Sequence, residues 1–425
     1  MARPCFRWAV RAAPSSAPSV GNTRCERRAD RPSFREKITD SRNRTGSGLR
    51  QQRLSDLGSI PPAAWNRLAR GDSPFLSHEF LHGLERCGCL ADHGWTPTHL
   101  VAHAGENLVG AMPLYIKSNS HGEFVFDWSW AEAYERSGGR YYPKLVSAIP
   151  FTPVRGPRLL IDLAADDVKA IQQSLLEGAT ELARETLMSS LHFLFPADAD
   201  TELLTAHSLL RRKTIQFHWR NNDYRDFADF LDALSTKKRK EIRRERRSVV
   251  EQGIDVEILD GAKITCAQWD IFYEFYCSTF ERRWGSPRFT REFFYSLSER
   301  LPRETLLILA YREGQPIAGA FAMLGARTLY GRHWGCSRQY ANLHFELCYY
   351  RTIEYCIQHK LAGVDAGVQG EHKLSRGFEP VAAWSCHWIR HPGFHSAIEA
   401  FLQRETPGVD AYIDELNRHL PYKQS

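Results

Sequence analysis

A hairpin written twice sets the terms for this chain's fold. Val101-Ala-His-Ala-Gly105-Glu-Asn-Leu-Val-Gly110-Ala111 and Leu309-Ala-Tyr-Arg-Glu-Gly314-Gln-Pro-Ile-Ala-Gly319-Ala320 align after one inserted residue. In both, two short apolar runs surround a turn glycine, and Gly-Ala follows five residues later. That pattern reads as two strands joined by a tight turn. An amphipathic helical region precedes each copy and a long helix follows it. Similarity at this separation implies two copies of one αβ unit.

The chain has 425 residues, 43% hydrophobic and 25% charged, which excludes fibrous and mainly disordered classes. No apolar run approaches the ~20 residues of a membrane span, so no stable membrane insertion is expected. The formal charge of +6 is concentrated at the start, where residues 1–53 hold 13 Arg/Lys against 4 Asp/Glu. That segment reads as a disordered Arg/Ser-rich tail or a transit-like extension. The body divides into an N-terminal domain at 54–212 and a C-terminal domain at 213–425. Ten scattered cysteines form no disulfide framework, which points to a reducing, cytoplasmic setting. Organelle import through residues 1–53 is the alternative.

Helix–hairpin–helix units with Gly-Ala in the second strand fit an α/β class, an α+β mixed sheet of acetyltransferase type. In such a sheet a bulge splays two strands into a slot for an acyl thioester arm. The following helix offers free N–H groups to phosphates. In the second copy these pieces are a strand over Thr328-Leu-Tyr-Gly-Arg-His-Trp334, a link from Gly335 to Asn342, and a helix from Leu343 to Leu361.

The densest polar run is Gly367-Val-Gln-Gly-Glu-His-Lys-Leu-Ser-Arg-Gly-Phe-Glu-Pro380. Loops after strands commonly carry chemistry. Glu371 or His372 can take a proton from an amine, with Glu346 as second choice. Lys373 and Arg376 can hold a phosphate or carboxylate, and Gly370 allows close backbone approach. A second cluster joins Arg332, His333 and Trp334 to His344 and Glu346 at a helix start, where the dipole favours an anion. The amides from Gly335 toward His344 are the candidate phosphate or oxyanion site. The bland alternatives are a solvated turn and ordinary core packing. A cysteine-dependent hydrolase using Cys336 or Cys348 is a further reading.

Thr236-Lys-Lys-Arg-Lys-Glu-Ile-Arg-Arg-Glu-Arg-Arg-Ser248 holds eight basic and two acidic residues and reads as a basic helix over 236–250. It is either a solvated helix or a grip on a polyanion such as tRNA. No P-loop, dinucleotide fingerprint or metal-ligand spacing is present, and no metal is expected.

Several motifs resemble one family. Gly122-Glu-Phe-Val-Phe-Asp-Trp, Tyr141-Tyr-Pro-Lys-Leu, Pro150-Phe-Thr-Pro-Val, Gln216-Phe-His-Trp-Arg-Asn-Asn, Tyr330-Gly-Arg-His-Trp-Gly-Cys, Leu343-His-Phe-Glu-Leu-Cys-Tyr-Tyr and Gly370-Glu-His-Lys-Leu-Ser-Arg-Gly-Phe look like those of FemAB-like predicted N-acyltransferases, often labelled peptidoglycan biosynthesis or recognition proteins. The resemblance covers roughly residues 62–422. It implies two tandem acetyltransferase-like (GNAT) domains and transfer of an acyl or aminoacyl group to an amine of a small-molecule or cell-wall precursor. The donor would be an acyl-CoA or, alternatively, an aminoacyl-tRNA. A non-catalytic RNA- or precursor-binding protein on the same scaffold is the rival. The first domain, which has no counterpart of Gly370-Glu-His-Lys, is expected to shape the acceptor site.

Overall fold

Both hairpins form, and in the same geometry. His99–Ala104 pairs with Asn107–Met112, and Thr305–Arg312 pairs with Gln315–Leu324. In the first, Ala102 faces Gly110 and the next pair is His103 with Leu108, so Val109 is an extra, bulged residue. In the second, Ala310 faces Ala318 and the next pair is Tyr311 with Pro316, so Ile317 is the extra residue. The ladders therefore match Gly110 to Ala318 rather than to Gly319, and no residue is inserted. Aligning the glycines misled by one position because the turn glycine comes first in Gly105-Glu106 and second in Glu313-Gly314. Both turn glycines adopt positive φ, 59° and 73°, where a Cβ is penalised.

The computed structural model describes residues 43–44, 48–69, 73–282, 285–368 and 370–423. Most of the segment read as a tail lies outside them, but Arg50–Leu54 is a strand paired with His99–Ala104. The described residues form one compact unit. Each copy runs strand, two helices, hairpin. Arg50–Leu54 leads into helices Pro62–Leu68 and His78–Arg86. Ile254–Asp260 leads into Cys266–Glu281 and Arg291–Arg300. Local chemistry starts these helices: Ser77 accepts from Phe80 N, Thr265 and Gln268 form a capping box, and Thr290 accepts from Phe293 N.

Eleven strands make one continuous sheet. From one edge come Ile254–Asp260, Thr305–Arg312, Gln315–Leu324, Thr328–Cys336 and Gly363–Asp365, all of the second copy. Leu210–Arg220, which ends the first copy, is next, followed by Glu379–Ile389, which ends the second. Ser190–Leu194, Lys144–Ser147, Tyr115–Lys117 and Trp95–Pro97 of the first copy complete the order. A five-stranded sheet contains Arg50–Leu54 and the first hairpin. Each copy thus gives its last strand to the other. Leu210–Arg220 pairs antiparallel with Glu379–Ile389 from Leu210–His387 to His218–Glu379, and with Gly363–Asp365 on its other side. The boundary placed at 212/213 falls inside this strand.

The exchanged strand is seated by its apolar face. Phe217 and Trp219 pack with Phe230, Leu329, Tyr350 and Val364. At Gly363 the backbones press so closely that an added Cβ would stand 2.2 Å from the Trp219 carbonyl oxygen. Gly363→Ala is therefore expected to destabilise the fold by about 1–3 kcal/mol through overpacking, read as a lower urea midpoint. An unchanged midpoint would show that this contact does not hold the exchanged strand.

Candidate functional site

The sheet opens where two parallel strands part. Thr328–Cys336 follows Gly363–Asp365 for three pairs only, ending at Tyr330 with Asp365. Past Asp365 the chain stays with the exchanged strand, through Ala366 N to Phe217 O and Phe217 N to Gly367 O. Thr328–Cys336 stays instead with Gln315–Leu324, and a bulge after the Phe321–His333 pair leaves Arg332 as the extra residue. A V opens between residues 331–336 and 366–368. Residues 331–334 are half-buried despite their place inside the sheet. Helix Cys266–Glu281 and its end hold part of the freed edge: Thr279 Oγ1 donates to Trp334 O at 2.9 Å and Arg282 to Cys336 O at 2.6 Å.

On one face of the V stand Arg332, Asp365, His218 and Gln216. Asp365 accepts from Gly367 N at 2.7 Å and lies 3.8 Å from Arg332 Nη2 and 3.7 Å from His218 Nε2. Gln216 Nε2 donates to Pro153 O at 2.6 Å, which turns its Oε1 toward His218 Nε2 at 3.1 Å. An amide oxygen only accepts, so His218 carries its proton on Nε2 and leaves Nδ1 as the acceptor. Phe75 and Tyr330 flank the Arg332 guanidinium at 5.0 and 5.8 Å. Pro153 and Phe75 are first-copy residues, so this face is built from both halves. Asp365, His218 and Gln216 escaped the sequence reading because they sit in apolar strand patterns. The signal present was the Gln-Phe-His-Trp motif.

On the other face Trp334, His344, Phe345, Tyr349 and His372 gather. His344 meets Trp334 edge-on at 5.3 Å and His372 at 6.0 Å. The Tyr349 hydroxyl and His372 Nε2 are 2.8 Å apart. Burial, then Lys373 and Arg376, lowers the His372 pKa. Lys373 lies between the faces, its ammonium donating to Ala366 O and Gly367 O. Burial brings it down to about 8, partly opposed by Asp365.

Sequence reasoning thus named Arg332, Trp334, His344, His372 and Lys373, which meet around the V, with Gly370 beside His372. The other named residues are committed elsewhere, although Gly335 lies on one arm of the V and Arg376 donates to His372 O at 2.8 Å. Glu371 accepts from the Tyr412 hydroxyl in an exposed contact. Glu346 is buried in ion pairs with Arg246 and Arg351. Arg376 binds Glu245 at 2.8 Å and stacks over Phe345. Gly335 presses on helix Cys266–Glu281, where an added Cβ would lie 2.0 Å from Phe275 O. The helix from Leu343 includes a π-helical stretch, Glu346–Tyr350, a feature frequent at functional sites. Burial pushes the Cys348 thiol far up, which argues against a thiolate nucleophile. Among the described residues no group of three or more His, Cys, Asp or Glu is placed to hold a metal. A cavity of about 800 Å³ between strand Arg50–Leu54, helix Val168–Glu185 and Trp388 involves none of these residues.

The first copy has a matching place. His387 pairs with His192 as His218 pairs with Asp365, and Ser385 precedes His387 as Gln216 precedes His218. There the polar groups are closed in. Ser190, His192, His387 and Ser385 form one hydrogen-bonded row, with the two Nδ1 atoms 2.5 Å apart. Trp130 packs on His387 at 4.9 Å. Lys144 holds Glu123 at 2.8 Å and Asp127 at 2.5 Å, all fully buried. Burial pushes Glu123 up to about 7. At Asp127 burial acts the same way but Lys144 outweighs it and holds the carboxyl well below its usual range. The segment 118–143 supplies Glu123, Asp127 and Trp130. Its second-copy counterpart is only the three-residue link 325–327.

Strand, helix pair, hairpin and splayed strand define the acetyltransferase-like class, here present twice. The chain belongs to the FemAB-like family, described as peptidoglycan biosynthesis/recognition, whose model matches residues 56–424. No curated protein matches it. Among solved structures it is similar to FemX, at 11% identity over 80% of this chain and 98% of that one, TM-score 0.49. It is similar also to a tandem GNAT protein from the clavulanic acid biosynthesis pathway, at 14% identity over 81% and 99%, TM-score 0.45. A putative lysylphosphatidylglycerol synthetase C-terminal domain from Agrobacterium fabrum matches at 9% identity over 80% and 95%, TM-score 0.47. At TM-scores below 0.5 none of these likenesses bears on activity. No described helix is long and apolar enough to cross a membrane.

Burial, aided by Lys144 at His192 and by Arg332 at His333, lowers both histidines to about 3, and His387 falls well below its ordinary value. The unfolded chain protonates them below about 6.5 while the folded one does not. Stability therefore falls as pH drops from about 6.5, by on the order of 1 kcal/mol per histidine per pH unit. Glu123 works in the opposite sense between its ordinary value and about 7. Urea midpoints against pH for wild type and His387→Gln are expected to show a shallower slope in the variant. Equal slopes would place the proton uptake elsewhere.

Proposed function

We propose that this chain is an N-acyltransferase, moving an acyl or aminoacyl group from an activated carrier to an amine. The observation that carries this is the row Pro153–Gln216–His218–Asp365 at the splayed strands. It orients an imidazole with Nδ1 ready to accept a proton and sets a carboxylate beside the imidazolium that results. Family membership supports an acceptor from cell-wall peptide chemistry.

The parted strands and the uncapped helix start at Leu343 fit an acyl-carrier arm with its phosphate. When bound, the carrier supplies an activated carbonyl. The residues of this chain do the rest. His218 Nδ1 takes the amine proton as nitrogen bonds to the acyl carbon, and gives it to the carrier's sulfur or oxygen as the acyl–carrier bond breaks. Asp365 steadies the charged ring. Lys373, held between the faces by Ala366 O and Gly367 O, favours negative charge developing on the carbonyl oxygen. Trp334, His344 and His372 line the carrier side and exclude water.

Helix Thr236–Glu251 supports an aminoacyl-tRNA as the carrier. Lys238, Arg239 and Arg246 are tied to Glu241, Asp232, Glu346 and Glu354, while Lys237, Lys240, Arg243, Arg244 and Arg247 remain exposed. These exposed cations form a stripe suited to a polyanion. Charge reversal at Lys240, Arg243 and Arg247 is expected to weaken tRNA binding and flatten its salt dependence in filter assays. Unchanged salt dependence would remove the stripe from that role and favour an acyl-CoA.

Acyl transfer is tested by mass-spectrometric product formation, with acyl-CoA and aminoacyl-tRNA donors against amine panels. His218→Ala is expected to lower kcat/KM by about 10²–10⁴-fold with the fold intact. Near-normal turnover in that variant would overturn the assignment of the base.

A further inference from the structure

The Arg332 guanidinium is the least satisfied charge in the site. Its side chain is 5% exposed, flanked by Phe75 and Tyr330. Yet its Nε and Nη2 are buried with no hydrogen-bond partner among the described residues. Asp365, at 3.8 Å, is close enough for charge pairing and too far for a hydrogen bond. A buried donor left empty is costly, and two on one cation more so.

Nε–H and the adjacent Nη2–H lie on one edge of the planar group and point the same way. That edge matches the two oxygens of a carboxylate. Resting on the acyl-transfer reading above, we propose that the acceptor is an amino acid or a peptide end whose free carboxylate docks on the Nε/Nη2 edge of Arg332. Three observations converge on this. Arg332 and His218 flank the same Asp365 oxygen, at 3.8 and 3.7 Å, so one small molecule can present its carboxylate to the first and its amine to the second. Arg332 and Lys373 against Asp365 leave one net positive charge, which suits a monoanion better than a dianionic phosphate. Phe75, delivered by the first copy, packs over the guanidinium at 5.0 Å and helps hold its plane.

The test uses the full chain without any donor. Arginine Nε–H resonances are recorded by nitrogen-15 NMR, and Arg332 is assigned by the signal missing in Arg332→Lys. Sodium acetate, L-lysine, L-lysinamide and inorganic phosphate are titrated separately. Acetate and L-lysine are expected to move the Arg332 signal saturably, and L-lysinamide is expected to leave it in place. Arg332→Lys is expected to weaken L-lysine binding about tenfold by calorimetry, since an ammonium cannot reproduce the fork. No movement with either carboxylate, or equal movement with L-lysinamide, overturns the proposal. So does a larger response to phosphate, which would reassign the edge to a phosphate-bearing substrate. Should Arg332→Lys not fold, calorimetry of the wild type decides the matter: L-lysine binding that L-lysinamide matches overturns the proposal. Because no acyl group is present, failure here strikes the carboxylate assignment alone, whereas failure of acyl transfer would show in the product assay.

Discussion

The antiparallel pairing of Leu210–Arg220 with Glu379–Ile389 is the interaction on which the molecule depends. Each strand ends one copy of the repeated unit and completes the sheet of the other. Neither copy can satisfy its own interior strand edge alone, and an unpaired buried edge is expensive. The exchange turns two units into one body, at the cost of contacts far apart in the chain, which form slowly. It also sets the chemistry. His218 reaches Asp365 because its strand was exchanged, so the site exists only in the assembled pair.

The two copies then diverge at equivalent places. In the first, segment 118–143 fills the space with aromatic rings and two carboxylates. Lys144 pairs with both while burial drives Glu123 toward its neutral form, and the His192–His387 pair stays uncharged beneath them. In the second, a three-residue link leaves the space open. A buried ion cluster of this kind gives a rigid interior at little net gain in stability. A buried arginine with an empty edge gives up stability for recognition. One architecture thus holds a closed polar core on one side and an open one on the other.

Much of this was legible in the residues. The twin hairpins, the basic helix, the strand before Gly367 and the polar run after it follow from alternation, turns and caps, all matters of near neighbours. Arg332, His344, His372 and Lys373 stood out by density of polar residues beside aromatics. Glu346 and Arg376 stood out for the same reason but serve ion pairs with Arg246 and Glu245, 100 and 131 positions away. The glycine alignment of the hairpins was one residue out because either turn position accepts glycine. Asp365 and His218 were hidden because a single polar residue in a strand looks the same whether it meets solvent, a core partner or a substrate.

Periodicity and local turn chemistry settled, from the residue order, that the chain holds two αβ units with a hairpin in each. They settled too that the second unit carries the polar loop. Tertiary structure alone decided that the units trade their last strands, that Pro153 orients Gln216 and through it His218, and that the first copy's equivalent place is shut. The reason is one of range. Backbone geometry and capping are decided within a few residues, whereas the role of a buried charge is decided by whichever partner the fold brings to it.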